Sequence, residues 1–134
     1  MDPLLRIDIK VMSTPSLVSV IRRIVYAALK EVGTSEECID QAVLITGEAC
    51  GNIVRHAYDK PSPYKVSLEI NTDALVLEFT DWGKGFDTST PPEDGHFGLS
   101  LISSIDPDVQ IESVLGEYTL VRVWLSRNDE FTSA

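Results

Sequence analysis

The chain has 134 residues, 43% of them apolar, a size and composition that suit one globular domain and leave no room for a second full one. Eleven Lys and Arg against 21 Asp and Glu give a formal net charge of −10 at pH 7, which repels a phosphate backbone and argues against direct nucleic-acid binding. No run reaches the roughly 18 apolar residues that span a bilayer. The opening MDPLLRIDIK carries charges where a secretory leader needs an apolar core, so a cytoplasmic protein with no membrane contact is expected.

Leu5, Ile7, Ile9 and Val11 alternate with Arg6, Asp8 and Lys10, the period of a strand with one buried face. Thr14-Pro15 then opens an apolar pattern at Leu17, Ile21, Ile24, Val25, Ala28 and Leu29 that Gly33 stops, predicting a helix over about 15 to 32. Thr34 and Glu37 have capping-box spacing, and the second helix they open is expected to run to about Tyr58. Two prolines, Pro61 and Pro63, break it. Tyr64 to Ile70 and Leu75 to Phe79 alternate around Asn71-Thr72-Asp73, which predicts an antiparallel hairpin. Residues 81–95 are polar and rich in Gly and Pro, too long for a mere connection. A short helix at about Leu99 to Ile105 precedes a second hairpin, Val109 to Val114 and Leu120 to Leu125, turned at Leu115-Gly116-Glu117. Residues 1–127 form the expected domain and 128–134 an expected mobile tail. Cys38 and Cys50 fall in one helix, where twelve residues of rise separate them by about 18 Å, beyond the roughly 7 Å that a disulfide spans. With His56 and His96 lacking paired spacing they make no zinc site either, so a metal is expected only with a ligand.

On the second helix Glu48, Asn52 and Arg55 share an arc of about 60°, while Ile39, Val43, Cys50, Ile53, Val54 and Ala57 share the opposite face. Such a stripe is either a solvated surface or a row of ligands. Gly47 and Gly51 lie beside it despite costing roughly 1 kcal/mol each relative to Ala in a helix interior. They admit either a ligand or the neighbouring helix. A carboxylate that takes a proton, beside an amide oxygen that ligates Mg²⁺ without adding negative charge, suits metal-assisted phosphoryl transfer.

Asp81-Trp82-Gly83-Lys84-Gly85-Phe86 follows a predicted strand, and its glycines let backbone approach a flat ligand while Asp81 accepts a base amine. An ordinary strand-to-loop turn fits the same residues. It is neither a dinucleotide fingerprint, whose third glycine would fall at Thr88, nor a Walker loop, since Glu78 stands where the first glycine belongs. Gly95-His96-Phe97-Gly98-Leu99-Ser100 precedes the short helix, whose first N–H groups suit an anion.

In order, EACGNIVRHAY (48–58), DWGKGF (81–86) and GHFGLSLI (95–102) resemble the three boxes of the histidine-kinase-like ATP-binding superfamily, and within it the bacterial anti-sigma-factor serine kinases. The resemblance runs from the first strand to about Leu125. It implies an α/β sandwich, a mixed sheet with helices packed on one face, and ATP and Mg²⁺ as ligands. By this match Glu48 is the general base for a serine hydroxyl, Asn52 ligates Mg²⁺, and Arg55 lies near the phosphates. Asp81 receives the adenine amine, Gly83 and Gly85 admit the base, the backbone at Phe97, Gly98, Leu99 and Ser100 cradles phosphates, and Thr119 helps hold adenine. Ser100 replaces a common glycine, and the lid from Asp87 to Gly95 carries no arginine.

The function so implied is an ATP-dependent protein serine/threonine kinase that sequesters a sigma factor and phosphorylates an anti-sigma-factor antagonist, as a homodimer. The acidic surface suits a basic partner. The competing expectation is a catalytically silent nucleotide-binding module that only shapes a protein-interaction surface.

Overall fold

The computed structural model describes residues 2–86 and 99–127. Strand β1 (Leu5–Met12) is followed by helices α1 (Pro15–Glu31) and α2 (Glu36–Asn52), and α2 continues into a π-helical turn, Ile53–Ala57. The hairpin of β2 (Pro63–Ile70) and β3 (Ala74–Asp81) comes next, then α3 (Leu99–Ile105) and the hairpin of β4 (Gln110–Val114) and β5 (Tyr118–Ser126). The strands order β1-β2-β3-β5-β4. Each predicted element is present, and α3 has the predicted bounds. The expected tail 128–134 and lid 87–95 lie outside the described residues.

Three local expectations are corrected. The sheet is antiparallel at every pairing, not mixed. The crossover from β3 to α3 and β4 sets β4 in the direction of β3, but β5 folds back between them, so the two like-directed strands are never neighbours. The cap of α2 is Ser35, whose Oγ accepts from the Cys38 N–H at 3.3 Å. Thr34, expected there, instead receives the Nε–H of Arg127 at 3.1 Å. The α-helix ends at Asn52, six residues short of Tyr58, whose backbone is extended.

Period-two alternation decides what faces the helices. Val66 pairs with Phe79, Leu68 with Leu77 and Ile70 with Leu75, and Leu75, Leu77 and Phe79 pair in turn with Leu125, Val123 and Val121. These residues are buried against Ile21, Val25 and Leu29 of α1, Ala42, Ile45 and Ala49 of α2, and Ile102 of α3. The residues assigned to the packing face of α2 and its extension, Ile39, Val43, Cys50, Ile53, Val54 and Ala57, all belong to this core or pack against it. Cys38 and Cys50 are buried, unbridged thiols. Burial pushes Cys50 up to about 12, so it behaves as a small apolar side chain. No helix of the described residues is long and apolar enough to cross a membrane.

The residue after β5 closes the molecule at the start of β3. Arg127 is 5% exposed. Its guanidinium donates to the carbonyls of Val32, Asn71 and Thr72 at 2.7 to 3.0 Å and to Thr34 Oγ1, while its N–H reaches the Asp73 carbonyl. One side chain thus joins the α1–α2 turn, the β2–β3 turn and the end of β5. At the other end of β3 the helices leave a gap.

Candidate functional site

The parity that buries Leu75, Leu77 and Phe79 also turns Asp81, the last residue of β3, toward the helices. Its strand partner is Thr119. Opposite them, α2 delivers Asn52 at the point where α-helical bonding gives way to the π turn, a widening that recurs at functional sites. Asn52, Asp81 and Thr119 line one cavity of about 250 Å³. Its walls are otherwise largely apolar, built from Ala49, Ile53, Ala57, Phe79, Ile102 and Val121. Apolar walls with a few convergent polar groups are the usual build of a small-molecule site.

Asp81 is only 5% exposed, and burial raises its carboxyl above the ordinary 3.8, while the Gly83 N–H that Oδ1 accepts at 3.0 Å pulls the other way. A buried acceptor at the end of an apolar slot selects a ligand edge that carries a donor.

The loop after Asp81 is held on both sides. The carbonyl of Ala57, left without a helical partner, accepts the Lys84 N–H at 2.9 Å. A Cβ on Gly83 would fall on that carbonyl. Gly85, at φ +60°, abuts the Val114 carbonyl, and the Lys84 carbonyl accepts the Gly116 N–H at 2.6 Å. The two glycines are therefore required by protein packing, which sets the loop as a floor of the cavity; Gly85 and Phe86 line it. Trp82 N–H donates to the Tyr58 hydroxyl, which donates to the Pro63 carbonyl.

The helix glycines resolve similarly. A Cβ on Gly47 would lie 3.3 Å from Cδ of Arg22, so this glycine serves the contact with α1. Gly51 leaves room for the Arg55 guanidinium, 3.0 Å from where its Cβ would be.

The polar stripe is not uniform. Asn52 is buried, Glu48 is half-buried one turn before it, and Arg55 is exposed with Nη2 donating to Asn52 Oδ1 at 3.0 Å. Glu48 and Arg55 are not among the residues lining the cavity. Leu99 and Ser100 open α3, while Phe97 and Gly98 lie outside the described residues.

Three contributors escape the sequence reading. His56 and Lys84 line the cavity. Ser113 ties its rim together: its Oγ accepts the Phe86 N–H at 2.9 Å, donates to the Tyr118 carbonyl at 3.0 Å and pairs with Thr119 Oγ1 at 2.7 Å. The inward parity of Ser113 opposite Thr119 is the one sequence signal for it.

A family model described as the histidine kinase-like ATPase domain matches residues 11–124, taking in both walls of this cavity. The chain belongs to that family. Among curated proteins it is 26% identical to the serine-protein kinase RsbW of Halalkalibacterium halodurans over 92% of this chain and 85% of that one. It is 25% identical to the protein of the same name from Bacillus subtilis, over 82% of this chain and 79% of that one. A solved structure of the RsbU and RsbW domains of a Mycobacterium tuberculosis protein superposes with a TM-score of 0.74 at 19% identity, covering 94% of this chain and 34% of that one. This last likeness shows the α/β fold, and the chain spans about a third of that larger protein.

Proposed function

We propose that this chain is an ATP-dependent protein serine/threonine kinase of partner-switching regulation, which holds a sigma factor and phosphorylates the antagonist that would release it. The observation that carries the reading is the convergence of Asp81, from a strand end, and Asn52, from a helix end 29 positions earlier, on one apolar cavity in a chain of the ATPase family. The serine-protein kinase names of its relatives support the acceptor class. In this reading residues 1–127 act as one domain, in the cytoplasm and as a homodimer.

Asp81 accepts the exocyclic amine of adenine between Thr119 and the loop floor at Gly85, with Gly83 setting the turn that admits the base. The backbone at Phe97, Gly98, Leu99 and Ser100 cradles the phosphates in this reading. The neutral amide oxygen of Asn52 suits Mg²⁺, and it already accepts a cationic group, the Arg55 guanidinium, so the position tolerates positive charge. Among the described residues no three His, Cys, Asp or Glu converge on a metal position, so Asn52 would share the ion with phosphate oxygens. When bound, Mg²⁺ supplies charge neutralisation at the phosphates. Glu48, one turn before Asn52, takes the proton of the incoming serine hydroxyl.

A silent nucleotide-binding module is the second reading, favoured by the position of Glu48 outside the cavity. Glu48→Gln separates the two. The variant is expected to keep the thermal shift given by Mg-ATP and to lose phosphate transfer to the antagonist serine by at least a hundredfold, as removal of a general base does. Transfer retained at the wild-type rate ends the base assignment. Absence of transfer in the wild type itself, with the shift intact, establishes the silent module.

A further inference from the structure

The bond between Arg55 and Asn52 has no role in holding adenine, yet it occupies the one amide oxygen that the proposed function reserves for Mg²⁺. Arg55 Nη2 lies 3.0 Å from Asn52 Oδ1, across the junction of α2 and the π turn. The guanidinium folds back over Gly51, where a Cβ would stand 3.0 Å from Nη1 and 3.6 Å from Cζ. Glycine weakens a helix relative to alanine, and here the space it leaves is the space this cation uses. Arg55 is exposed and forms no ion pair with a carboxylate among the described residues, where the Asn52 amide is its one side-chain tether.

We propose that Arg55 is a built-in cation that holds the amide oxygen of Asn52 while the site is empty and must swing off it before that oxygen can serve a metal. The inference rests on the nucleotide reading above and deepens it. A guanidinium and a divalent ion repel each other at one amide oxygen, so Arg55 sets the Mg²⁺ concentration at which nucleotide binding tightens. Without Mg²⁺ the same guanidinium stays in place and keeps the buried amide oxygen satisfied. The device makes the site metal-responsive instead of metal-indifferent.

The test is calorimetric titration of ADP into the full chain, in EDTA and across a range of Mg²⁺, with wild type, Arg55→Met and Gly51→Ala. Circular dichroism checks the fold of each, and Gly51→Ala is expected to melt no lower than wild type because alanine favours the helix. Arg55→Met removes the charge and the tether. Gly51→Ala keeps the charge but takes the space in which the guanidinium lies. Competition predicts that both variants respond to less Mg²⁺, by about tenfold for Arg55→Met and severalfold for Gly51→Ala. If Arg55→Met weakens ADP equally with and without Mg²⁺, Arg55 meets only phosphate and the competition is refuted. A response changed in Arg55→Met but not in Gly51→Ala also refutes it, since charge at a distance then suffices. Wild type that binds no ADP at any Mg²⁺ concentration overturns the nucleotide reading together with this one.

Discussion

Two arginines mark the two ends of β3, and the fold treats them oppositely. Arg127, at the start of the strand, is buried and surrounded by three carbonyls and a hydroxyl from segments far apart in the chain. Arg55, beside the cavity at the other end, is exposed and, among the described residues, tethered to a single amide oxygen. A charge buried among several acceptors is fixed, because every rotation orphans partners. A charge with one acceptor and solvent on its other sides can move at little cost. The closed end therefore supplies rigidity and the open end supplies response, a division common where binding loops sit on a stable scaffold.

The largest expected effect would break the comparison at its closed end. Arg127→Ala leaves the acceptors on Val32, Thr34, Asn71 and Thr72 without their donor and is expected to cost roughly 3 kcal/mol in urea unfolding. A loss under about 1 kcal/mol would show that water replaces the guanidinium and that the clasp is dispensable. Gly83→Ala comes next. Its Cβ collides with the Ala57 carbonyl, which is backbone and cannot step aside, so a loss of about 2 kcal/mol is expected together with loss of the ATP-induced thermal shift. Gly116→Ala, in open space but at φ +79°, should cost only about 1 kcal/mol, so equal losses at the two positions would reduce the Gly83 argument to backbone conformation alone.

Asp81→Asn is expected to change stability least and binding most. Because burial holds the native carboxyl above 3.8, the folded state keeps its proton longer than the unfolded chain, and stability declines as pH rises through that raised value. The amide removes this dependence and still accepts from Gly83, so melting near pH 7 should be unchanged or slightly higher. Its NH₂ now opposes the adenine amine, donor against donor, and the ATP-induced shift should vanish. A variant that melts well below wild type and still binds ATP would reverse the assignment.

Much of this arrangement is legible in the sequence, and the exceptions share a cause. Strand alternation placed all five strands, and extending Leu75-Leu77-Phe79 by one step puts Asp81 on the inner face. Adjacent Thr34 and Ser35 both qualify as caps, and only Arg127, 93 positions away, decides between them by taking Thr34. The π turn and the sheet order depend on packing between distant segments, which periodicity does not encode. Gly83 and Gly85 read as glycines that let backbone approach a ligand, and their close packing against the Ala57 and Val114 carbonyls appears only in the folded structure. Asn52 stands on the predicted stripe, but its burial at the end of α2 appears only once the sheet is in place.

The position of β5 governs when the site can exist. β1, β2 and β3 assemble from the first part of the chain, but the neighbour of β3 on its other side is the last of the five described strands to be made. Thr119 and Val121, which complete the cavity, and Arg127, which locks the far end, all belong to that final stretch. On the ribosome the emerging protein thus carries Asn52 and Asp81 long before it has a pocket to put them in, with the open edge of β3 waiting for its partner. Capacity for ligand arrives in one late step with the closing strand, so a chain cut short before β5 is expected to present an unpaired edge and no binding site.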